Sequence, residues 1–544
     1  MEGKRVAIYG LGRSGLAIAR ACLALGAIPT VYDKALPEQM VKQDVLESVR
    51  ELGIDLHLGW EGRFDPASLD WLVTNPGVDM RSAVLQQAKA DGIEILSEVE
   101  FAYRISKAPI VAITGTNGKS TTTVMTYLAL RECGIDAVLC GNIFGSGLPE
   151  VPLTEAALHS TPDQVLVAEI SSFQLEWVSR FCPAVAGITN IAPDHLDRYD
   201  SFQQYAETKM RIFAAQGVGD YAVVRAFDPV VRLGSAQQPA RRLRRGAAFQ
   251  AVSLSGFQPE EQRLEASETH RLEGDATGRA TVYTFGAQGE HAQVLEEEIR
   301  ILDKVIRTQD IQVIGTHNYA NAAMAGLMAY ATLRWLAERP MLSDQEVQAT
   351  TRPSRALLRE AEGGYERKRA SKRTVYSGRQ SSSERAEIGL ALPEPIVTAL
   401  KAFKGIEHRM EYLGSKNGVR IINNSMCTNP EAVVRSAQAV KGPNHLIMGG
   451  KDKDLPFAPV KNYLANGMHK AYLYGEAKEV LNTQLGGRFP TYNTLQEAFR
   501  AATEKARPGE VIMLAPGCAS TDQFHDFRDR GNVFKKIAKE WLES

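Results

Sequence analysis

The stretch Thr114-Gly115-Thr116-Asn117-Gly118-Lys119-Ser120-Thr121 decides the architecture. An apolar run at 109–114 leads into it and a helical pattern follows, so it reads as strand, glycine-rich turn and helix. Backbone N–H groups in such a turn wrap nucleotide phosphates, Lys119 offsets phosphoryl charge, and the Ser120 or Thr121 hydroxyl can ligate Mg²⁺. The strict spacing G-x-x-x-x-G-K-[ST] is not met, because Ile113 stands at its first glycine.

Outward from this loop, short apolar runs alternate with helical patterns. Strands are expected at 5–9, 29–32, 69–73 and 93–96, with a helix at 14–25. Further strands fall at 165–168 and 185–189, and a long Ala- and Met-rich helix covers 318–336. A third alternating block starts near 419–422 and continues through 445–448, 471–473 and 511–514. This rhythm predicts an α/β protein with parallel, helix-covered sheets.

The chain has 544 residues, which suggests three or four domains. Its 63 basic and 64 acidic residues leave a net charge of −1, which argues against a nucleic-acid binder. No apolar run approaches a membrane span, and the start runs straight into a strand without a secretion signal. The six cysteines are scattered with no C-x-x-C pair, so neither a disulfide scaffold nor a zinc ribbon is expected. The expectation is a cytoplasmic, multidomain protein. Two segments break the rhythm. Residues 225–300 read as an irregular, strand-rich elaboration. Residues 352–385, with ten Lys/Arg against four Glu, read as a mobile insertion.

A second glycine loop, Gly10-Leu11-Gly12-Arg13-Ser14-Gly15, lies between a strand and a helix, with Asp33 ending the next strand. It predicts a bound diphosphate at a helix N-terminus. Alone it would suggest an NAD oxidoreductase, but that leaves the loop at 114–121 unexplained. Glu169 ends a strand near the phosphate loop, where a carboxylate suits Mg²⁺. His195 lies in Asp194-His195-Leu196-Asp197 and suits a metal or phosphate contact. Asn318 and Asn321 share a helical face, able to read a purine edge or to cap the helix.

Taken in order, these motifs resemble those of the Mur ligase superfamily, ATP-dependent amide-forming enzymes of peptidoglycan precursor synthesis. The likeness covers almost the whole chain: the N-terminal glycine loop, T-G-T-N-G-K-S-T, E-I-S-S-F-Q-L-E at 169–176, D-H-L-D-R-Y at 194–199, H-N-Y-A-N at 317–321, residues 405–409 and C-A-S-T-D-Q-F at 518–524. The segments 169–176 and 518–524 point to the D-glutamate-adding branch. The resemblance implies three domains: an N-terminal Rossmann-like domain (1–107) for the UDP-sugar, a central P-loop ATPase-like domain (108–335) with a mainly parallel sheet, and a C-terminal Rossmann-like domain (396–544) for the amino acid. Residues 336–395 would be the insertion or linker.

The same resemblance assigns roles. Ser14, Lys34, Gly77, Asn142, Ser171 and His195 would hold the UDP-sugar, with Lys34 substituting for a basic residue often found at Ala35. Gly115, Thr116, Asn117, Gly118, Lys119, Ser120, Thr121, Asn318, Asn321, Arg409 and Asn424 would bind ATP. Lys119, Glu169, His195 and Lys209 would be catalytic. Ser120, Glu169, His195 and Lys209 would serve two Mg²⁺ sites, Lys209 as its N-carboxylated form. Thr428, Lys453, Ser520 and Phe527 would line the amino-acid site. The implied partners are small molecules, UDP-N-acetylmuramoyl-L-alanine and D-glutamate, with no nucleic acid and no membrane, and the chain is expected to be a monomer. One departure stands out. The family loop close to N-D-S-K-A-T-N is here Asn423-Asn424-Ser425-Met426-Cys427-Thr428-Asn429. It keeps open two alternatives: the same chemistry on another acyl substrate or amino acid such as L-glutamate, and a weakly active nucleotide-binding scaffold.

Overall fold

The structure is a computed structural model that describes residues 1–39, 43–195, 198–226, 280–313, 316–338, 391–453, 455–465 and 467–544. Its strands form three separate sheets. The first holds β1 (Arg5–Tyr9), β2 (Ile28–Asp33), β3 (Asp55–Leu58), β4 (Trp71–Thr74) and β5 (Ile95–Ser97) in the order β3-β2-β1-β4-β5. Every pair in it is parallel. The order reverses direction at β1, so the first glycine loop leaves the sheet at its switch point.

The central sheet comprises β6 (Ile110–Thr114), β7 (Asp136–Gly141), β8 (Gln164–Glu169), β9 (Val185–Ile188), β10 (Tyr221–Arg225), β11 (Thr281–Gly286), β12 (Ala292–Val294), β13 (Glu298–Ile301) and β14 (Lys304–Arg307). Its order is β14-β13-β12-β11-β10-β9-β6-β8-β7. The strands from β7 to β12 pair in parallel, and β12, β13 and β14 form an antiparallel edge. Strand β6 is Ile-Val-Ala-Ile-Thr and wholly buried, as a strand covered on both faces requires. One face packs under the helices Lys119–Glu132, Thr316–Glu338 and Glu394–Ala402, the other under Tyr205, Phe213 and Phe181. Ile396, Val397 and Leu400 belong to the same core as β6.

The third sheet contains β15 (Glu411–Lys416), β16 (Val419–Asn423), β17 (Asn444–Gly449), β18 (Lys470–Tyr474), β19 (Thr491–Tyr492) and β20 (Val511–Gly517), ordered β15-β16-β20-β17-β18-β19. Only the β15–β16 pair is antiparallel. The α/β class with three largely parallel sheets is as the sequence predicts. The expected strands end within three residues of those observed, while β3, β7, β10, β14, β15 and β19 went unread; in the first two of these, Asp55-Leu56-His57-Leu58 is half polar, and Asp136 opens a run closed by Cys140 and Gly141. Within the elaboration expected at 225–300, the described part is strand-rich (β11 to β13), and residues 227–279 lie outside the described residues. So does the insertion expected at 352–385.

Candidate active site

Strand β6 delivers Gly115 and Gly118 into a turn whose geometry only glycine tolerates. Gly118 has φ +81° and caps the helix Lys119–Glu132; a Cβ there would collide with the Asn321 carboxamide. A Cβ at Gly115 (φ +147°) would strike the Thr189 hydroxyl. The turn is braced from the end of β9: Thr189 Oγ1 donates to the Asn117 carbonyl (2.5 Å), as does Asn190 Nδ2 (2.9 Å), and Asn117 N–H donates to Asn190 Oδ1 (3.1 Å). The Thr116 hydroxyl lies 3.0 Å from the Tyr205 hydroxyl. Nothing in the sequence pattern singles out Thr189 and Asn190, yet these two residues hold the loop.

The turn opens onto a cleft of about 890 Å³ between the central and third sheets. Among the described residues, five Lys/Arg side chains line it (Lys119, Arg225, Lys404, Arg409 and Arg435), against the single carboxylate of Glu169. Such a balance suits a polyanion. Ten of the eleven residues expected at ATP line this cleft: Thr116, Asn117, Gly118, Lys119, Ser120, Thr121, Asn318, Asn321, Arg409 and Asn424. The eleventh, Gly115, turns its carbonyl to two lysines: Lys119 Nζ donates to it at 3.0 Å and Lys209 Nζ at 2.9 Å. Asn321 Nδ2 donates to Asn318 Oδ1 (3.0 Å), so the two amides form one unit at the start of their helix.

Glu169 is 3% exposed, and its Oε2 has no hydrogen-bond partner among the described residues, while Oε1 accepts from Asn142 Nδ2 at 3.1 Å. An orphaned, buried carboxylate oxygen beside Ser120 fits a hard cation. No group of three or more His, Cys, Asp or Glu that could hold a metal exists among the described residues.

Lys209 is 1% exposed, with its ammonium 4.8 Å from the Tyr205 ring centre. Burial pushes its pKa well below the ordinary lysine value; Lys119 pushes the same way, and Asp194 and Glu169 oppose. Burial also lowers the pKa of Lys119, opposed by Glu169 and aided by Arg409. His195 has a left-handed backbone (φ +54°), and its ring contacts Phe173 edge-on at 4.8 Å and Tyr205 at 6.3 Å. His195 and Lys209 do not line the cleft; they meet at Tyr205, behind the turn. Asp197 lies outside the described residues.

A second cavity of about 240 Å³ lies between the first and central sheets, lined by Ser14, Asn75, Glu98, Asn142, Phe144 and Gln174 among others. Gly77 N–H donates to Asn75 Oδ1 (3.0 Å) and Ser171 Oγ to Gln174 Oε1 (3.1 Å), so both stand one contact behind its wall; Lys34 does not line it. Asp33 accepts from Leu11 N–H (2.6 Å) and Ala35 N–H (2.8 Å), which fixes the glycine loop. Asn142 lines both cavities and joins them at Glu169.

On the third sheet, Lys453 Nζ donates to the Thr428 carbonyl at 3.2 Å. Reciprocal bonds between Lys451 and Ala519 set that loop beside Ser520. The Phe527 ring is 5.8 Å from Phe144, so of the amino-acid candidates Phe527 approaches the second cavity. Arg530, wholly buried, escaped sequence reading. Its guanidinium donates to Ser425 Oγ (3.0 Å) and to the carbonyls of Ser425 (2.9 Å), Cys518 (3.2 Å) and Ala519 (3.1 Å), tying the two loops together. Asn424 Oδ1 accepts from Met410 N–H (3.1 Å) and its Nδ2 donates to Ser436 (2.8 Å); Met426 Sδ lies 3.3 Å from Arg409 Nε.

Three largely parallel sheets, with a cationic cleft and its glycine-lysine turn between the second and third, define a nucleotide-using α/β protein. The chain belongs to the Mur ligase family. Residues 4–97 match the Mur ligase MurD-like N-terminal domain, 113–329 the Mur ligase middle domain, and 408–518 the Mur ligase glutamate ligase domain. It is 33% identical to UDP-N-acetylmuramoylalanine--D-glutamate ligase of Caldanaerobacter subterraneus, covering 98% of each chain. It is 32% identical to the proteins of that name from a Thermoanaerobacter species (99% of each chain) and Geotalea daltonii (99% of this chain, 98% of that one). No described helix is long and apolar enough to cross a membrane.

Proposed function

We propose that the chain is an ATP-dependent amide ligase that adds D-glutamate to UDP-N-acetylmuramoyl-L-alanine, a step of peptidoglycan precursor synthesis. Likeness to ligases of that name over the whole chain supports the substrates. One structural observation supports the chemistry: Asn142 and Glu169 stand where the sugar-nucleotide cavity meets the cationic cleft.

In this reading the N-terminal glycine loop holds the UDP diphosphate, and the alanyl carboxylate reaches Asn142. The turn 115–121 wraps the ATP phosphates through its N–H groups. Lys119 exchanges its carbonyl partners for phosphate oxygens and offsets their charge as the γ-phosphoryl group passes to the alanyl carboxylate, giving an acyl phosphate and ADP. Ser120 and Glu169 would hold Mg²⁺, which would supply further charge neutralisation at the phosphates. The neutral amine of D-glutamate, held by Thr428, Lys453, Ser520 and Phe527, attacks the acyl carbon; the tetrahedral adduct expels phosphate and the new amide nitrogen loses a proton. Arg409 and Asn424 bring the third domain onto the nucleotide, which excludes water from the acyl phosphate.

Lys209 is read as a carbamate. Burial favours its neutral amine over the ammonium; the neutral amine attacks CO₂ and sheds a proton, giving an anionic oxygen ligand that would serve a second Mg²⁺ with His195. The chain works as a cytoplasmic monomer. ADP release with UDP-N-acetylmuramoyl-L-alanine should require D-glutamate and fall away with L-glutamate or no amino acid. Equal turnover with L-glutamate would reassign the substrate, and no ADP release with any amino acid would favour a nucleotide-binding scaffold.

A further inference from the structure

The third domain lines the cleft with two stretches, one from Phe403 to Tyr412 that carries Lys404 and Arg409, and one from Asn424 to Ala439. In the second stretch the charged lining side chain, among the described residues, is Arg435. It lies on the helix Pro430–Gln438, where Ala432, Arg435, Ser436 and, one turn on, Ala439 form one face, all lining the cleft. The guanidinium therefore belongs to the cleft-facing side.

We propose that Arg435 binds the phosphate chain of the nucleotide from the side opposite Lys119. The inference rests on the reading of this cleft as the ATP site and adds a residue to it. Arg435 is close enough to Lys119 and to Tyr205 for its charge to be felt at both, disfavouring the ammonium of one and favouring the phenolate of the other. Two cations from different domains, repelling one another across a polar cleft, are satisfied by a polyanion between them. The competing partner of Arg435 is weak. Glu431, four residues earlier on the helix, stands 3.8 Å away and is 72% exposed. An exposed pair of this kind is given up at little cost when a phosphate is offered, and a guanidinium fork suits phosphate oxygens.

The test measures binding of ATP and of adenosine to the full-length wild type, Arg435→Ala and Arg435→Lys by calorimetry. Arg435→Ala should weaken ATP about ten-fold or more while leaving adenosine within two-fold, and Arg435→Lys should fall between. In turnover, KM for ATP should rise more than kcat falls. Equal losses for ATP and adenosine would mean that the side chain touches the base or merely shapes the wall, and would overturn the inference. So would an unchanged ATP affinity in a normally melting Arg435→Ala protein. A wild type that binds no ATP overturns the reading of the cleft itself, and this inference with it.

Discussion

Lys119 and Lys209 donate to one acceptor, the carbonyl oxygen of Gly115, at 3.0 and 2.9 Å. Two ammonium groups cannot both stay charged there cheaply, and the deeper one, Lys209, is the one whose pKa burial drives well below its usual value. Burial thus disfavours the ammonium on both lysines, and more strongly on Lys209.

A stability signature follows for Lys209. Its folded pKa lies below the unfolded value of about 10.4, so between the two the unfolded chain binds more protons. The penalty on folding is complete below the folded pKa, shrinks as pH rises through that window, and is gone above about pH 10.4. In CO₂-free buffer Lys209→Met should therefore raise Tm at pH 7 by about 2–4 °C, and the gain should vanish near pH 10.5. The same variant should be nearly inactive, and Lys209→Ala should regain part of its activity with acetate. Wild-type turnover in Lys209→Ala without additive would remove the carbamate role.

Lys119 acts where phosphoryl charge develops. Lys119→Ala should lower kcat at least about 10²-fold with a smaller change in the affinity for the acyl substrate. Full turnover would mean that the turn 115–121 does not carry the transferred phosphoryl group.

For Glu169, the missing partner of Oε2 separates stability from function. Glu169→Gln keeps an oxygen for Asn142 but removes a buried charge, so Tm should be unchanged or higher. Meanwhile the Mg²⁺ concentration for half-maximal activity should rise about ten-fold. A lowered Tm with an unchanged Mg²⁺ requirement would make Glu169 a structural residue.

Arg530 should behave in the reverse way. Four acceptors lose a bond in Arg530→Met; the Ala519 carbonyl keeps the Lys451 N–H, and buried acceptors left bare cost about 1–3 kcal/mol each before relaxation. The third domain should melt several degrees earlier, with KM for the amino acid raised more than KM for ATP, because Ser520 and Thr428 ride on the loops it ties. An unaltered melting curve would show that the loops hold themselves.

What the sequence made legible follows from what each feature depends on. The turn 114–121 could be read because its chemistry is local: glycines at left-handed positions, then a lysine and two hydroxyls. The same holds for β6 and β20, whose apolar runs are buried on both faces. By contrast, Thr189, Asn190, Arg435 and Arg530 act through residues tens to hundreds of positions away, and their types are common on any surface. Asp33 was legible as a strand-ending acid, but its use, capping Leu11 and Ala35 N–H groups, emerges only when β1 and β2 lie side by side. The joining of two cavities at Asn142 likewise has no local signature.

The last prediction concerns Asn424 and Met426, which stand where the family loop has an acid and a lysine. Asn424 spends its amide on Ser436 and its oxygen on Met410 N–H, while Met426 lays its sulfur against the Arg409 guanidinium. Asn424→Asp keeps the Met410 bond, and the Ser436 hydroxyl can turn to donate, so this change alone should be tolerated. Met426→Lys alone places a second cation beside Arg409 with no new anion near it, which is costly in a cleft partly shielded from water. Together the two changes supply both members of a pair, so the double variant should improve KM for ATP by more than the two single changes combined. The charge-assisted bond from a restored carboxylate to a ribose hydroxyl is worth about 1 kcal/mol more than the neutral one, or some five-fold in affinity. The measurement is a double-mutant cycle on KM for ATP at saturating acyl substrate. Strict additivity would show that the two positions changed independently, with Met426 selected for its packing on Arg409 alone.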